Sequence, residues 1–205
     1  MHSDKRSGRA EEESIAGVSG CFIPLDSLHL RKCKEARMAL SFSNEFYPNI
    51  TKQLTIGEGE RLVAYRCPSG KLTVGIGHNC DASPVPGVTK VGDRISPEQS
   101  QQLFVADLNI AIKEVRRVFP WVADLNEPRQ AVIYDMAFNM GIGGLQSFTT
   151  TMPFIREGKY GRARMNIFAS KYARDVNSDG IGGRFDRVER LMEQLIKGEW
   201  VFERG

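Results

Sequence analysis

The sequence predicts an α+β protein, mostly helical, with a small hairpin-bearing lobe, a long connecting helix and a larger helical lobe. Three stretches point to it. RLVAYRCPSGKLTVGIGH, Arg61 to His78, is short, strand-prone and punctuated by turns. Residues 97–119 carry one apolar stripe at helical spacing. PRQAVIYDMAFNMG, from Pro128 to Gly141, is apolar nearly all round, as a buried helix is.

Taken in order, MHSDKRSGRAEEESIAGVSG is polar and lacks any helical or strand period. Residues 1–45 are therefore expected to form a flexible extension. Met38 offers a second plausible start, so residues 1–37 are read either as that extension or as an over-long reading frame. Residues 46–205 are expected to fold, with a small lobe over about 46–95 and a helical lobe over about 96–205. Asn49 is read as the cap of a short helix to about Glu58, with Ile50, Leu54 and Ile56 inward. Leu62 to Arg66 and Lys71 to Ile76 read as two strands joined through Pro68-Ser69-Gly70. A Pro- and Gly-marked loop follows, to about Arg94. Ser96 then caps a helix with Pro97 at its first position. Its stripe is Leu103, Phe104, Leu108, Ala111, Ile112, Val115 and Phe119. Gly141-Ile142-Gly143-Gly144 is expected to stop the next helix. Short helices are expected near 152–157 and 160–170, and a last one from about Phe185 to Lys197.

The chain has 205 residues, 41% hydrophobic and 26% charged, which suits a globular domain and excludes disordered, collagen-like and disulfide-scaffold classes. A net charge of +3 is too small for a dedicated nucleic-acid binder. No apolar run is long enough to span a bilayer, and no clear signal peptide is present. Synthesis in a cytosol is the expectation. The four cysteines, Cys21, Cys33, Cys67 and Cys80, are then expected to be reduced, and none forms a metal-type CxxC pair.

The chemistry centres on GEGERLVAYRCPSGKLTVGIGH, Gly57 to His78. Glu58 sits at the expected end of a helix, where the negative end of the dipole disfavours another negative charge and raises a carboxyl pKa. A raised carboxyl suits a general acid. Cys67 and Thr73 fall on or beside the hairpin and can share a cleft with it. The glycines allow backbone and ligand to approach closely. For an isolated Glu, a solvated helix end is the commoner situation.

That segment resembles the catalytic signature of the phage-type lysozymes, the endolysins of tailed bacteriophages: Glu, eight residues, Asp or Cys, five residues, Thr. Glu58, Cys67 and Thr73 match it without a gap, as do the flanking Arg61, Leu62, Tyr65, Gly70, Gly75, Gly77 and His78. RQAVIYDMAFNMGIGGLQSFTTT resembles the family's central helix and the loop after it, and KGEW its C-terminal end. The resemblance covers roughly residues 45–200 and implies the lysozyme-like two-lobed fold.

It implies hydrolysis of the β-1,4 bond between N-acetylmuramic acid and N-acetylglucosamine in bacterial peptidoglycan, by a monomer that needs no cofactor. Glu58 would protonate the leaving oxygen. Cys67 and Thr73 would activate or hold water on the opposite sugar face, as in inverting glycosidases. The thiol is expected to sit high, raised further by Glu58 and opposed by Arg66. Thiolate base, water-orienting group and nucleophile remain open roles for it. A wall-binding protein without activity and a lytic transglycosylase are the rival functions. The family would place the protein in the host cytoplasm until its release to the wall. It implies a structural ion pair between His78 and Asp107. It also implies an arginine on the catalytic Glu, either Arg184 or Arg187, and a sugar cleft lined by Asn139, Phe148 and Thr149. Phe138 and Met140 read as core.

One further motif stands apart. Asp175, Asn177, Asp179, Gly180 and Asp186 occupy positions 1, 3, 5, 6 and 12 of a degenerate EF-hand loop. It is read as a weak Ca2+ site or as a polar loop with an Asx turn.

Overall fold

The structure is a computed structural model and describes residues 42–67, 69–176 and 186–202. The extension expected over residues 1–45 lies, up to residue 41, outside the described residues. Phe42 already belongs to the folded unit. Its ring stacks on Phe46 at 3.7 Å. Ser43 donates from Nα and Oγ to the Glu127 carboxylate at 2.5 and 2.6 Å. The folded unit thus starts four residues before the expected boundary.

Helix α1 runs Phe46–Glu58 and begins before Asn49, not at it. Burial decides this: Phe46, Ile50 and Leu54 are fully buried, so the aromatic must sit on the helix. Pro48 lies in the first turn, where no amide donor is required. Gly59, at φ 68°, turns the chain out of the helix, and its N–H donates to Thr55 O. Strands β1 (Arg61–Arg66), β2 (Leu72–Gly75) and β3 (His78–Asn79) form an antiparallel meander in the order β1-β2-β3. Tyr65 pairs with Thr73, and Val74 with His78. The third strand is too short for its sequence to announce. Ala64, Leu72, Val74, Cys80, Val85, Val88 and Ile95 form the small core beneath the sheet.

Helix α2 (Pro97–Val118) starts with a full capping box: Ser96 accepts from Gln99 N–H, and Gln99 accepts from Ser96 N–H. Phe104, Leu108, Ala111, Ile112 and Val115 are buried, so the stripe faces the core, and Phe119 caps the helix end. A 3₁₀ turn at Pro120–Asp124 leads into α3 (Glu127–Gln146). Residues 131–137 of α3 are all buried. Gly141 does not end this helix but breaks it, at φ 74° and ψ 167°, and another turn follows. Helices α4 (Thr151–Arg156), α5 (Tyr160–Phe168), α6 (Lys171–Val176) and α7 (Asp186–Lys197) complete the lobe. The separate α6 is an addition to the expected set. Arg129 fixes the end of α7, donating to Leu195 O at 2.9 Å and Ile196 O at 3.0 Å. The architecture is α+β as expected, mostly helical with a small antiparallel sheet. Among the described residues, no helix is long and apolar enough to cross a membrane.

Candidate active site

Glu58 is the last residue of α1, and its side chain is 18% exposed. Arg187 Nη2, on α7, donates to Glu58 Oε1 at 2.7 Å. Asn139 Nδ2, on α3, donates to the same oxygen at 3.3 Å. The other oxygen lies against the sheet lobe: a Cβ built on Gly77 would come within 3.4 Å of Oε2. Gly77 also has φ 73°, so both space and backbone favour glycine there.

Arg187 is the arginine that the structure brings to Glu58, and Arg184 lies outside the described residues. Arg187 is 5% exposed and serves a second carboxylate, Asp135, which is 1% exposed. Nη2 and Nε donate to Asp135 Oδ1 at 3.0 and 3.3 Å. Burial pushes the Asp135 carboxyl above its ordinary range; Arg187 and Gln53 act against that. Burial also opposes the Arg187 charge, but Asp135 and Glu58 outweigh it. Gln53 Nε2, on α1, donates to Asp135 Oδ2 at 2.9 Å. Gly57 makes room for the guanidinium, because a Cβ there would meet Arg187 Nε at 2.8 Å.

Sequence reasoning missed Asp135, Gln53 and Gly57. The available signal was a lone carboxylate inside AVIYDMAF, a run otherwise suited to burial.

On the hairpin, Cys67 follows β1 directly and Thr73 lies in β2. Cys67 N–H donates to Lys71 O at 3.0 Å, and Sγ lies 3.0 Å from Ser69 Oγ. Thr73 is 5% exposed, and its hydroxyl donates to Lys71 O at 3.1 Å. Burial raises the Cys67 thiol, but the Ser69 and Thr73 hydroxyls beside it and backbone hydrogen bonds bring it below its ordinary value. This corrects the expected rise. Arg66 is occupied elsewhere, with Asp81 at 3.3 Å and Gly70 O at 2.9 Å.

His78 is 3% exposed. Its Nδ1 meets Asp107 Oδ2, on α2, at 2.7 Å, and its Nε2 meets Ser83 O at 2.8 Å. Both partners accept, so the doubly protonated ring fits best. The Asp107 hydrogen bond raises the His78 pKa against the effect of burial, and the Ser83 carbonyl adds to the rise.

A groove of about 810 Å³ opens beside Asn139 and is lined by Phe148, Thr149, Asn166, Tyr172 and Met140. Phe148 and Tyr172 meet edge to face at 6.4 Å. Met140, half-buried against Gly144, thus lines the groove instead of filling the core. Phe138 is half-buried beside Gly77, its ring 5.8 Å from Phe104.

Of the expected calcium loop, Asp175 sits on α6 in an ion pair with Lys171. Asp186 opens α7, and Asn177, Asp179 and Gly180 lie outside the described residues. Among the described residues, no cluster of His, Cys, Asp and Glu could hold a metal ion.

A family model described as Phage lysozyme matches residues 47–186. The chain is 29% identical over 136 residues to the pre-baseplate central spike protein Gp5 of Enterobacteria phage T4, covering 57% of this chain and 24% of that protein. It is 27% identical over 134 residues to the probable T4-type lysozyme 1 of Dictyostelium discoideum, covering 56% of this chain and 79% of that one. It is 25% identical over 138 residues to the probable T4-type lysozyme 2 of the same organism, covering 58% and 81%. The chain therefore spans 24% of the spike protein's length.

Proposed function

The chain belongs to the phage lysozyme family, and on that premise we propose that it hydrolyses the β-1,4 bond between N-acetylmuramic acid and N-acetylglucosamine of bacterial peptidoglycan. One observation carries the reading. Asn139 both touches the Glu58 carboxylate and lines the groove, so a buttressed carboxyl stands at the edge of a cleft sized for sugars.

Glu58 acts as general acid and gives its proton to the leaving glycosidic oxygen. Arg187 and Asn139 fix the carboxyl, so the proton is delivered along one direction. Cys67 activates or orients water on the opposite sugar face, and Thr73 helps to hold that water. The hydroxyls that lower the Cys67 thiol support a base role at that position. Attack from that face inverts the anomeric centre. Each step uses side chains of this chain and water. A single chain carries every group named, so we read the protein as a monomer. It accumulates in the host cytoplasm and acts when it reaches the wall during host lysis.

The test is release of reducing ends from purified peptidoglycan by the wild type and by Glu58→Gln. Loss of release in the variant, with an inverted first product from the wild type, supports the mechanism. A retained anomer makes Cys67 a nucleophile. A product lighter by one water makes the protein a transglycosylase. Sedimentation with the wall and no release by the wild type makes it a binding protein.

A further inference from the structure

Arg187 carries one positive charge and faces two carboxyl groups. A neutral cluster therefore holds one proton, and burial favours neutrality. The question is which carboxyl holds it. The main chain supplies an answer, because some of its groups have only one polarity.

Val201 N–H can only donate, and it meets Gln194 Oε1 at 3.2 Å. The Pro128 carbonyl can only accept, and it meets Gln194 Nε2 at 2.8 Å. The Gln194 amide is thereby oriented, and its Nε2 also donates to Gln53 Oε1 at 2.7 Å. Gln53 must then present Nε2 to Asp135 Oδ2, at 2.9 Å. Arg187 Nη2 and Nε cover Asp135 Oδ1. Asp135 thus receives three N–H donors, two on Oδ1 and one on Oδ2, which favours its ionised form. Glu58 has one oxygen covered by Arg187 and Asn139, and the other against Gly77.

We propose that Asp135 is a positioning residue: held ionised by the Val201–Gln194–Gln53 relay, it neutralises Arg187 and leaves Glu58 able to carry the proton that it donates. This rests on the general-acid role of Glu58 proposed above. Among the described residues, the titratable and charged groups facing the cluster are Arg187 from α7, Tyr172 from α6, and Glu58 and Asp135 themselves. Burial keeps the Tyr172 phenol neutral. The remaining partners, Gln53 from α1 and Asn139 from α3, are uncharged, and the sheet lobe contributes the backbone at Gly77.

The experiment is the pH profile of kcat/KM for the wild type, Asp135→Asn and Gln53→Leu. A general acid loses activity as pH rises and it deprotonates. Asp135→Asn removes a like charge and leaves Arg187 to Glu58 alone, and both changes favour ionised Glu58. The alkaline limb should move down by about one pH unit or more, with the low-pH plateau held within a few-fold. Gln53→Leu removes a donor from Asp135 and should move the limb the same way by less. A folded Asp135→Asn protein with an unmoved limb overturns the proposal, as does a uniform fall at every pH. If Asp135→Asn fails to fold by near-UV circular dichroism, an unmoved limb in Gln53→Leu overturns it. If the wild type shows no glycosidase activity, carbon NMR of the Glu58 carboxyl reads the same shift. Coincident titrations in wild type and variant then overturn the coupling independently of the proposed function.

Discussion

Replacing Gly57 with alanine tests whether Arg187 is held as tightly as the geometry implies. The new Cβ would lie 2.8 Å from Arg187 Nε, 2.9 Å from Cζ and 3.1 Å from Cδ, where ordinary contact begins at 3.4 Å. The guanidinium would have to retreat by about 0.6 Å, a large displacement in a close-packed interior. It cannot do so freely, because Nη2 is bonded to both Glu58 and Asp135. Overpacking of this kind costs ~1–3 kcal/mol, and loosening a buried charge from its partner adds to that. Alanine returns up to ~1 kcal/mol of helix propensity. The net expectation is a loss of about 2 kcal/mol, or roughly 4–8 °C in Tm for a domain of this size. Urea and thermal unfolding followed by circular dichroism measure it, and reducing-end release should fall with it. A variant as stable as the wild type, or more stable by the propensity gain alone, refutes the packing reasoning.

The His78–Asp107 pair sets a pH dependence of stability. Its folded-state pKa is raised, so the contribution is complete below the unfolded value of about 6.5 and fades as pH rises through the folded value. Asp107→Asn should lower the His78 NMR midpoint and remove about 2 kcal/mol of stability on the acid side of that window; an unchanged His78 titration counts against the pair. For Cys67, the pH midpoint of alkylation should lie below that of an ordinary thiol. Ser69→Ala and Thr73→Val should each move it upward, since each removes a hydroxyl that lowers the thiol. Superimposable curves for the three proteins would remove the hydroxyls as the cause.

What could be read from the sequence was local. Ser96, Pro97 and Gln99 announce the start of α2 because a cap is written within four residues. The spacing of Glu58, Cys67 and Thr73 is equally local, since a helix end and a hairpin lie next to each other in the chain. The start of α1 was misplaced because a cap rule favoured Asn49, while burial of Phe46 against distant rings decided the matter. The path of α3 through Gly141 depends on packing that no local glycine rule contains. Gln53 and Asp135 stayed hidden for the same reason. Each is an ordinary polar residue in its own helix, and its meaning comes from a partner 82 positions away. The choice between Arg184 and Arg187 needed the three-dimensional placement of α7.

The relay that ends at Glu58 also has a consequence for assembly. Gln53 and Gln194 are 141 positions apart, and their contact closes a loop through nearly the whole folded unit. Such long-range contacts form after local helices and turns, once the intervening chain has paid its closure entropy. A fragment stopping short of α7 could build the hairpin and α2 yet would leave the Glu58 carboxyl without Arg187. The Glu58–Arg187–Asp135 cluster is thus complete only in the finished topology.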